Sequence, residues 1–175
     1  MTSLTGTKSK PGWLMGALAG ALPPVLSTLA GAIAWGTAMG ASALLVLALD
    51  QWETPQKIRM IVAVFAAGGL LGFPFGLILA RFLSYRRGAD TAFAAAFLSI
   101  AAATVCATAG IFALDYRAYY AEWHEDPLTR IWFFQFAFTV AAAFYQFAAL
   151  GLRLYFPIGF VALLAVSIWF ARTVR

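Results

Sequence analysis

MIVAVFAAGGLLGFPFGLILA, residues 60–80, lies between Arg59 and Arg81 and contains no charged side chain. At about 1.5 Å of helical rise per residue, such a stretch covers the roughly 30 Å hydrocarbon core of a bilayer. Backbone amides in lipid must be bonded within their own segment, so the stretch reads as a membrane-crossing helix. Working outward, residues 25–49, 92–114, 131–150 and 155–171 are apolar over comparable lengths.

The expected fold is therefore all-α. It is a polytopic transmembrane helix bundle of about five membrane-spanning helices, preceded by a short N-terminal interfacial or re-entrant segment. Residues 1–175 form one integral membrane domain. The helices are placed at about 25–49, 55–83, 91–114, 128–150 and 155–171. Of the 175 residues, 63% are hydrophobic and 11% charged, with a mean hydropathy of +0.84. A water-soluble domain carries about 25% charged residues, so this chain has too few to clothe a surface in water. The net charge of +5 is scattered over loops and tails, which suits topology and anionic-lipid contact and excludes a nucleic-acid surface. Cys106, the single cysteine, permits no internal disulfide or paired-thiol chemistry and reads as a small apolar filler.

Lys8, Lys10, the apolar stretch from Trp13 and the Ala19-Gly20-Ala21 run imitate a secretory signal. Pro23, two residues beyond a cut after Ala21, argues for a retained segment before Pro23 and Pro24. Thr54 followed by Pro55 makes an N-cap and first-turn pair, because proline lacks only an amide that would be orphaned there. Asp90, and Asp126 followed by Pro127, are read as the caps of the third and fourth helices. Pro74 should bend the second helix. Trp52, Tyr85, Tyr116, Tyr119, Tyr120, Trp123, Trp132 and Trp169 sit near helix ends, where amphipathic rings favour the headgroup layer.

Five crossings from a cytoplasmic N-terminus would divide the lysines and arginines six against six. An even number would divide them eight against four, so charge favours an even count while segment lengths favour five. Five is retained, with the N-terminus inside because Arg86 and Arg87 form the strongest local cluster. The setting is read as a bacterial inner (cytoplasmic) membrane.

Four constellations stand out. Gly68, Gly72, Gly76 and Ala80 recur every four residues, as do Ala32, Gly36 and Gly40. Such stripes let helix backbones approach closely, and their simplest use is packing of the first two spanning helices on each other. An oligomer seam or a sliding surface is the functional alternative. Gln135, Thr139 and Gln146 share one side of the fourth helix among many phenylalanines. Amides are costly in hydrocarbon, so this polar stripe should bond to another helix or line a polar path. Residues 115–126 are read as an aromatic loop in which Tyr116, Tyr119, Tyr120 and Trp123 follow helical spacing and give a face lying on the membrane, and whose Tyr119, Glu122, Trp123, His124, Glu125 and Asp126 offer the first place for a partner to dock. Arg86, Arg87 and Arg153 are expected at lipid headgroups, Arg153 by snorkelling from a tight joint at residues 152–154; were it deeper, it would need a partner such as Asp50 or Asp115 at a helix end, or another subunit.

One histidine cannot supply bis-imidazole haem ligation, retinal needs a lysine inside a helix and Lys57 is at best interfacial, and no helix interior carries a carboxylate for ion coupling. Phosphate-loop, GxSxG and HExxH arrangements are absent. No cofactor or metal is expected. The expected partners are membrane lipid and other membrane subunits or further copies of the chain. The leading functional expectation is a non-catalytic subunit or assembly factor of a larger membrane complex. A small homo-oligomeric channel or carrier for an apolar or weakly polar solute is second. A lipid-acting enzyme using Arg153, His124 and Glu125 is third.

Overall fold

The computed structural model describes residues 13–51 and 53–173; Lys8, Lys10 and Trp52 lie outside the described residues. The described residues are helical, without strands: α1 (Trp13–Ala21), α2 (Val25–Asp50), α3 (Pro55–Leu83), α4 (Ala89–Tyr120), α5 (Arg130–Gln146) and α6 (Ile158–Thr173). Long apolar helices suited to crossing a membrane run through α2, α3, α4 and the stretch Arg130–Tyr155, with α6 a shorter apolar helix. This is a polytopic transmembrane helix bundle.

The helix starts follow capping chemistry. Thr54 Oγ1 accepts from the Lys57 amide at 3.4 Å, with Pro55 in the first turn, so α3 begins where the sequence places it. Asp90 is not a cap. Gly88 occupies that position and Asp90 falls in the first turn of α4, where a carboxylate complements the helix dipole. The Asp126-Pro127 cap is also displaced. Those residues form a turn that closes through Leu128, at φ 70°, and Thr129 Oγ1 accepts from the Trp132 amide at 3.2 Å. α5 therefore starts at Arg130, not 128. Pro74 sits within an unbroken α3.

The largest departure concerns the aromatic loop. Residues 115–120 are the last turns of α4, and Ala121–Trp123 continues as a 3-10 turn. Polarity suggested a loop, yet nothing before Pro127 breaks a helix. Phe112, Tyr116 and Tyr120 stack along its surface with ring centroids 6.1 and 4.8 Å apart. α4 is thus 32 residues, about 48 Å long.

Small residues set the packing order. A β-carbon on Gly36 would stand 2.7 Å from the Ala66 carbonyl oxygen, and one on Gly40 would stand 3.1 Å from Ala66 Cβ, so α2 and α3 run antiparallel in close contact. The stripe on α3 faces elsewhere. Gly68, Gly72 and Gly76 lie against Thr108, Thr104 and Ile100, which makes α4 its neighbour rather than α2. Gly69, one step round the helix, is the glycine that meets α2, at Gly36 and Met39. Ala32 and Ala80 are buried in the core with Trp35, Met39, Phe73 and Ile100.

The same contacts orient the ends. One end of the bundle carries Asp50, Pro55 and Tyr120; the other carries Val25, Leu83 and Ala89. α1 lies at the second end, with Gly16 and Gly20 against the Tyr85 ring and Ala17 and Ala21 buried. The last two helices do not form a hairpin turning at 152–154. A π turn (Phe147–Gly151), a 3-10 turn (Leu152–Tyr155) and the Phe156–Pro157 pair connect them. Phe147 packs on Phe65 and Phe112, and the Gly159 amide donates to Ser42 Oγ at 3.3 Å, so the break lies inside the bundle. α6 then runs on until Trp169, Phe170 and Thr173 share a cavity with Pro23 and Pro24. The described chain thus starts with α1 and finishes with α6 at the same end of the bundle.

Candidate functional site

The polar stripe of α5 is absorbed by the chain itself. The Glu125 amide donates to Gln135 Oε1 at 2.9 Å, and Thr139 Oγ1 lies 3.2 Å from His124 Nε2 while donating to the Gln135 carbonyl at 2.7 Å. Gln146 Nε2 donates to the Tyr116 hydroxyl at 3.1 Å. These bonds, with the Arg117 guanidinium 5.1 Å from the Phe136 ring centre, tie α5 to the far end of α4. His124 is turned toward α5, so it is not part of an outward-facing surface with its neighbours. Glu122, Glu125 and Asp126 are exposed, as are Tyr119 and Trp123 at 66% and 61%. Tyr119 and Trp123 meet edge to face at 5.5 Å, one turn apart on the helix end. The result is an aromatic and acidic cap over the α4–α5 junction.

Away from this junction α5 packs on little. Ala143 is its one buried residue, while Phe133, Phe134, Phe138 and Tyr145 are 58–74% exposed. α5 thus carries a broad ring-lined face that its own bundle does not cover.

Arg153 does not snorkel free; it takes the alternative, a pair with Asp50. Its Nη2 lies 3.0 Å from Asp50 Oδ2, pinning the connection between α5 and α6 to the C-terminus of α2. Lys57 pairs with Glu53 at 3.1 Å beside it. These two pairs rim an apolar cleft of about 170 Å³ whose walls include Met60, Phe65, Phe112 and Phe147. Two cations and two acids leave that rim neutral. Arg86 and Arg87 are exposed at the opposite end, Arg86 resting 5.9 Å from the Tyr85 ring centre.

Sequence reasoning missed a line of hydroxyls in the middle of the bundle. Trp35 Nε1 donates to Thr104 Oγ1 at 2.9 Å, Thr108 Oγ1 donates to the Thr104 carbonyl at 2.8 Å, and the Tyr155 hydroxyl donates to Thr108 Oγ1 at 2.8 Å. Bonding satisfies groups that would be costly bare in an apolar interior. The available signal was Thr104 and Thr108 at four-residue spacing in an alanine-rich run. An apolar cavity of about 200 Å³ beside them is lined by Trp35, Thr104 and Tyr155 among others. Among the described residues no group of three histidine, cysteine or acidic side chains is placed to hold a metal ion.

No family model, curated protein or solved structure matches the chain.

Proposed function

We propose that the chain is a non-catalytic integral membrane subunit, or an assembly factor, of a larger membrane complex. Its setting is a bacterial cytoplasmic membrane, with both ends of the described chain inside. The observation that carries this reading is α5, a helix held along one face to the far end of α4 and uncovered on its opposite, ring-lined face. Aromatic side chains are enriched where chains meet, because rigid rings bury large areas at small entropic cost. Lipid can cover rings equally well. It does not account for three exposed acids, Glu122, Glu125 and Asp126, standing over the same helix. A partner helix packed on α5 with basic residues at headgroup depth would engage both features.

Orientation follows charge. Among the described residues, the end shared by α1 and α6 carries Arg81, Arg86, Arg87 and Arg172 against Asp90 alone. The opposite end carries Lys57, Arg59, Arg117, Arg130 and Arg153 against Asp50, Glu53, Asp115, Glu122, Glu125 and Asp126. Positive loops are retained in the cytoplasm, which favours the first end. A channel or carrier lined by Gln135, Thr139 and Gln146 gains no support, since each is bonded within its own chain.

The test is purification from native membranes in mild detergent, followed by native mass measurement. A foreign chain in fixed stoichiometry is expected, lost when Phe134 and Phe138 become alanine or when Glu122, Glu125 and Asp126 become lysine. A pure homo-oligomer, unchanged by either set, would overturn the subunit reading.

A further inference from the structure

We propose that the groove between α2, α3 and α6 holds one acyl chain of an anionic glycerophospholipid, with its phosphate against Arg81. The inference is independent of the subunit reading. The groove has a volume of about 540 Å³ and opens at the end of the bundle where α2 begins. Small residues, Gly31, Ala34 and Ala38 on α2 and Ala162 and Ala165 on α6, open the groove, and Phe73, Leu77, Trp169 and Phe170 complete its apolar walls. Trp35 also lines it, farther in than Ser27. From Ser27 to Ala38 the walls extend about 16 Å along α2. This is about the depth of hydrocarbon in one bilayer leaflet. A straight alkyl chain entering at headgroup level would lie along it and remove apolar wall from contact with mobile lipid.

Arg81 stands at the mouth, two residues before α3 ends. Its Nη1 donates to the Leu22 carbonyl at 3.3 Å, which holds the guanidinium in place. No carboxylate among the described residues lies within ion-pair distance of it; the two ion pairs present are both at the other end. A guanidinium has five N–H donors, so several remain for phosphate oxygens, and charge-assisted bonds of this kind are strong. Arg86, Arg87 and Arg172 raise the positive potential of the same end. Basic pockets between helices at the cytoplasmic face are suited to anionic headgroups. The cleft at the opposite end offers the contrast: its rim is internally neutralised, so it supplies no preference for negative charge. The occupant is identified by this asymmetry. An anionic lipid fits the unpaired arginine, and its chain fits the groove.

Native mass spectrometry of the delipidated protein, titrated with phosphatidylglycerol or with phosphatidylcholine of the same acyl chains, tests the assignment. One phosphatidylglycerol should be retained in preference to phosphatidylcholine. Arg81→Gln should weaken that retention about tenfold, the effect of one charge-assisted bond, and leave phosphatidylcholine unchanged. Ala165→Trp, at an exposed wall position, should displace the chain of either lipid from this site without disturbing the core. Glycerol 3-phosphate, which lacks the chain, should not compete. Equal retention of the two lipids by the unaltered protein would overturn the proposal, and that comparison needs no variant to fold. So would full phosphatidylglycerol binding by Ala165→Trp, or displacement by glycerol 3-phosphate.

Discussion

At Gly72 a single added carbon decides whether α3 and α4 can touch. A β-carbon there would stand 2.6 Å from Thr104 Cα, a backbone atom that cannot swing aside. Gly72→Ala should therefore cost about 1–3 kcal/mol through forced separation of the helices, and Gly72→Leu should disrupt the fold. Gly110 on α4 supplies the control, because a β-carbon there meets nothing within 4 Å. Gly110→Ala should be neutral or raise stability by up to about 1 kcal/mol, since glycine is a poor helix former. Thermal unfolding in detergent compares the two; equal effects would remove close packing as the reason for the stripe. The four-residue spacing of these glycines was visible in the sequence, but the helix they face was not. Neighbouring faces of α3 differ by only about 100°, and Gly69 beside Gly68 turns toward α2. Trp35 shows the same limit from the other side. An apolar run contains it, and only folding brings Thr104, 69 positions away, to its indole N–H.

α5 is the element whose position was least legible. Its composition marked it as a membrane helix, and it is one. Composition did not show that its amides would bond to the cap and to Tyr116, because the cap was read as a loop. The helical spacing of its rings was legible, but the polarity of Asp115, Arg117 and Glu122 hid that the segment continues α4. Once α4 is extended, Tyr116 comes within reach of Gln146. Gln146→Leu removes that bond, and the loss of an interhelical hydrogen bond in a membrane protein amounts to about 1 kcal/mol. Hydrogen exchange over residues 130–146 should then accelerate about fivefold while α2 and α3 remain unchanged. Gln135→Leu should loosen the cap more weakly, because the exposed Glu125 amide can turn to water instead. Acceleration spread evenly through α2 and α3 would show that Gln146 supports the whole bundle rather than the attachment of α5.

Across the whole molecule the decisive quantity is parity. Segment lengths favoured five crossings and charge favoured an even number, and lengths could not settle it because two helices can divide one traverse. Arg153 holds the α5–α6 connection to Asp50, and α6 finishes beside Pro23 and Pro24 at the opposite end. The last residue of α6 should consequently be exposed on the same face of the membrane as the α3–α4 connection. Single cysteines in a Cys106→Ala background test this with a membrane-impermeant thiol reagent, the alanine being needed because Cys106 is itself exposed. Arg87→Cys and Thr173→Cys should react together in inside-out vesicles, whereas Gln56→Cys and Asp126→Cys should react in right-side-out ones. All four positions are exposed, so poor access is not a competing explanation for silence. Thr173→Cys reacting with the Gln56→Cys group would mean that α6 ends on the far side, making the traverse count odd. Reversal of both groups together would keep the count even and place the basic end outside. Arg81 would then face the other leaflet, and its anionic-lipid partner would have to be drawn from there.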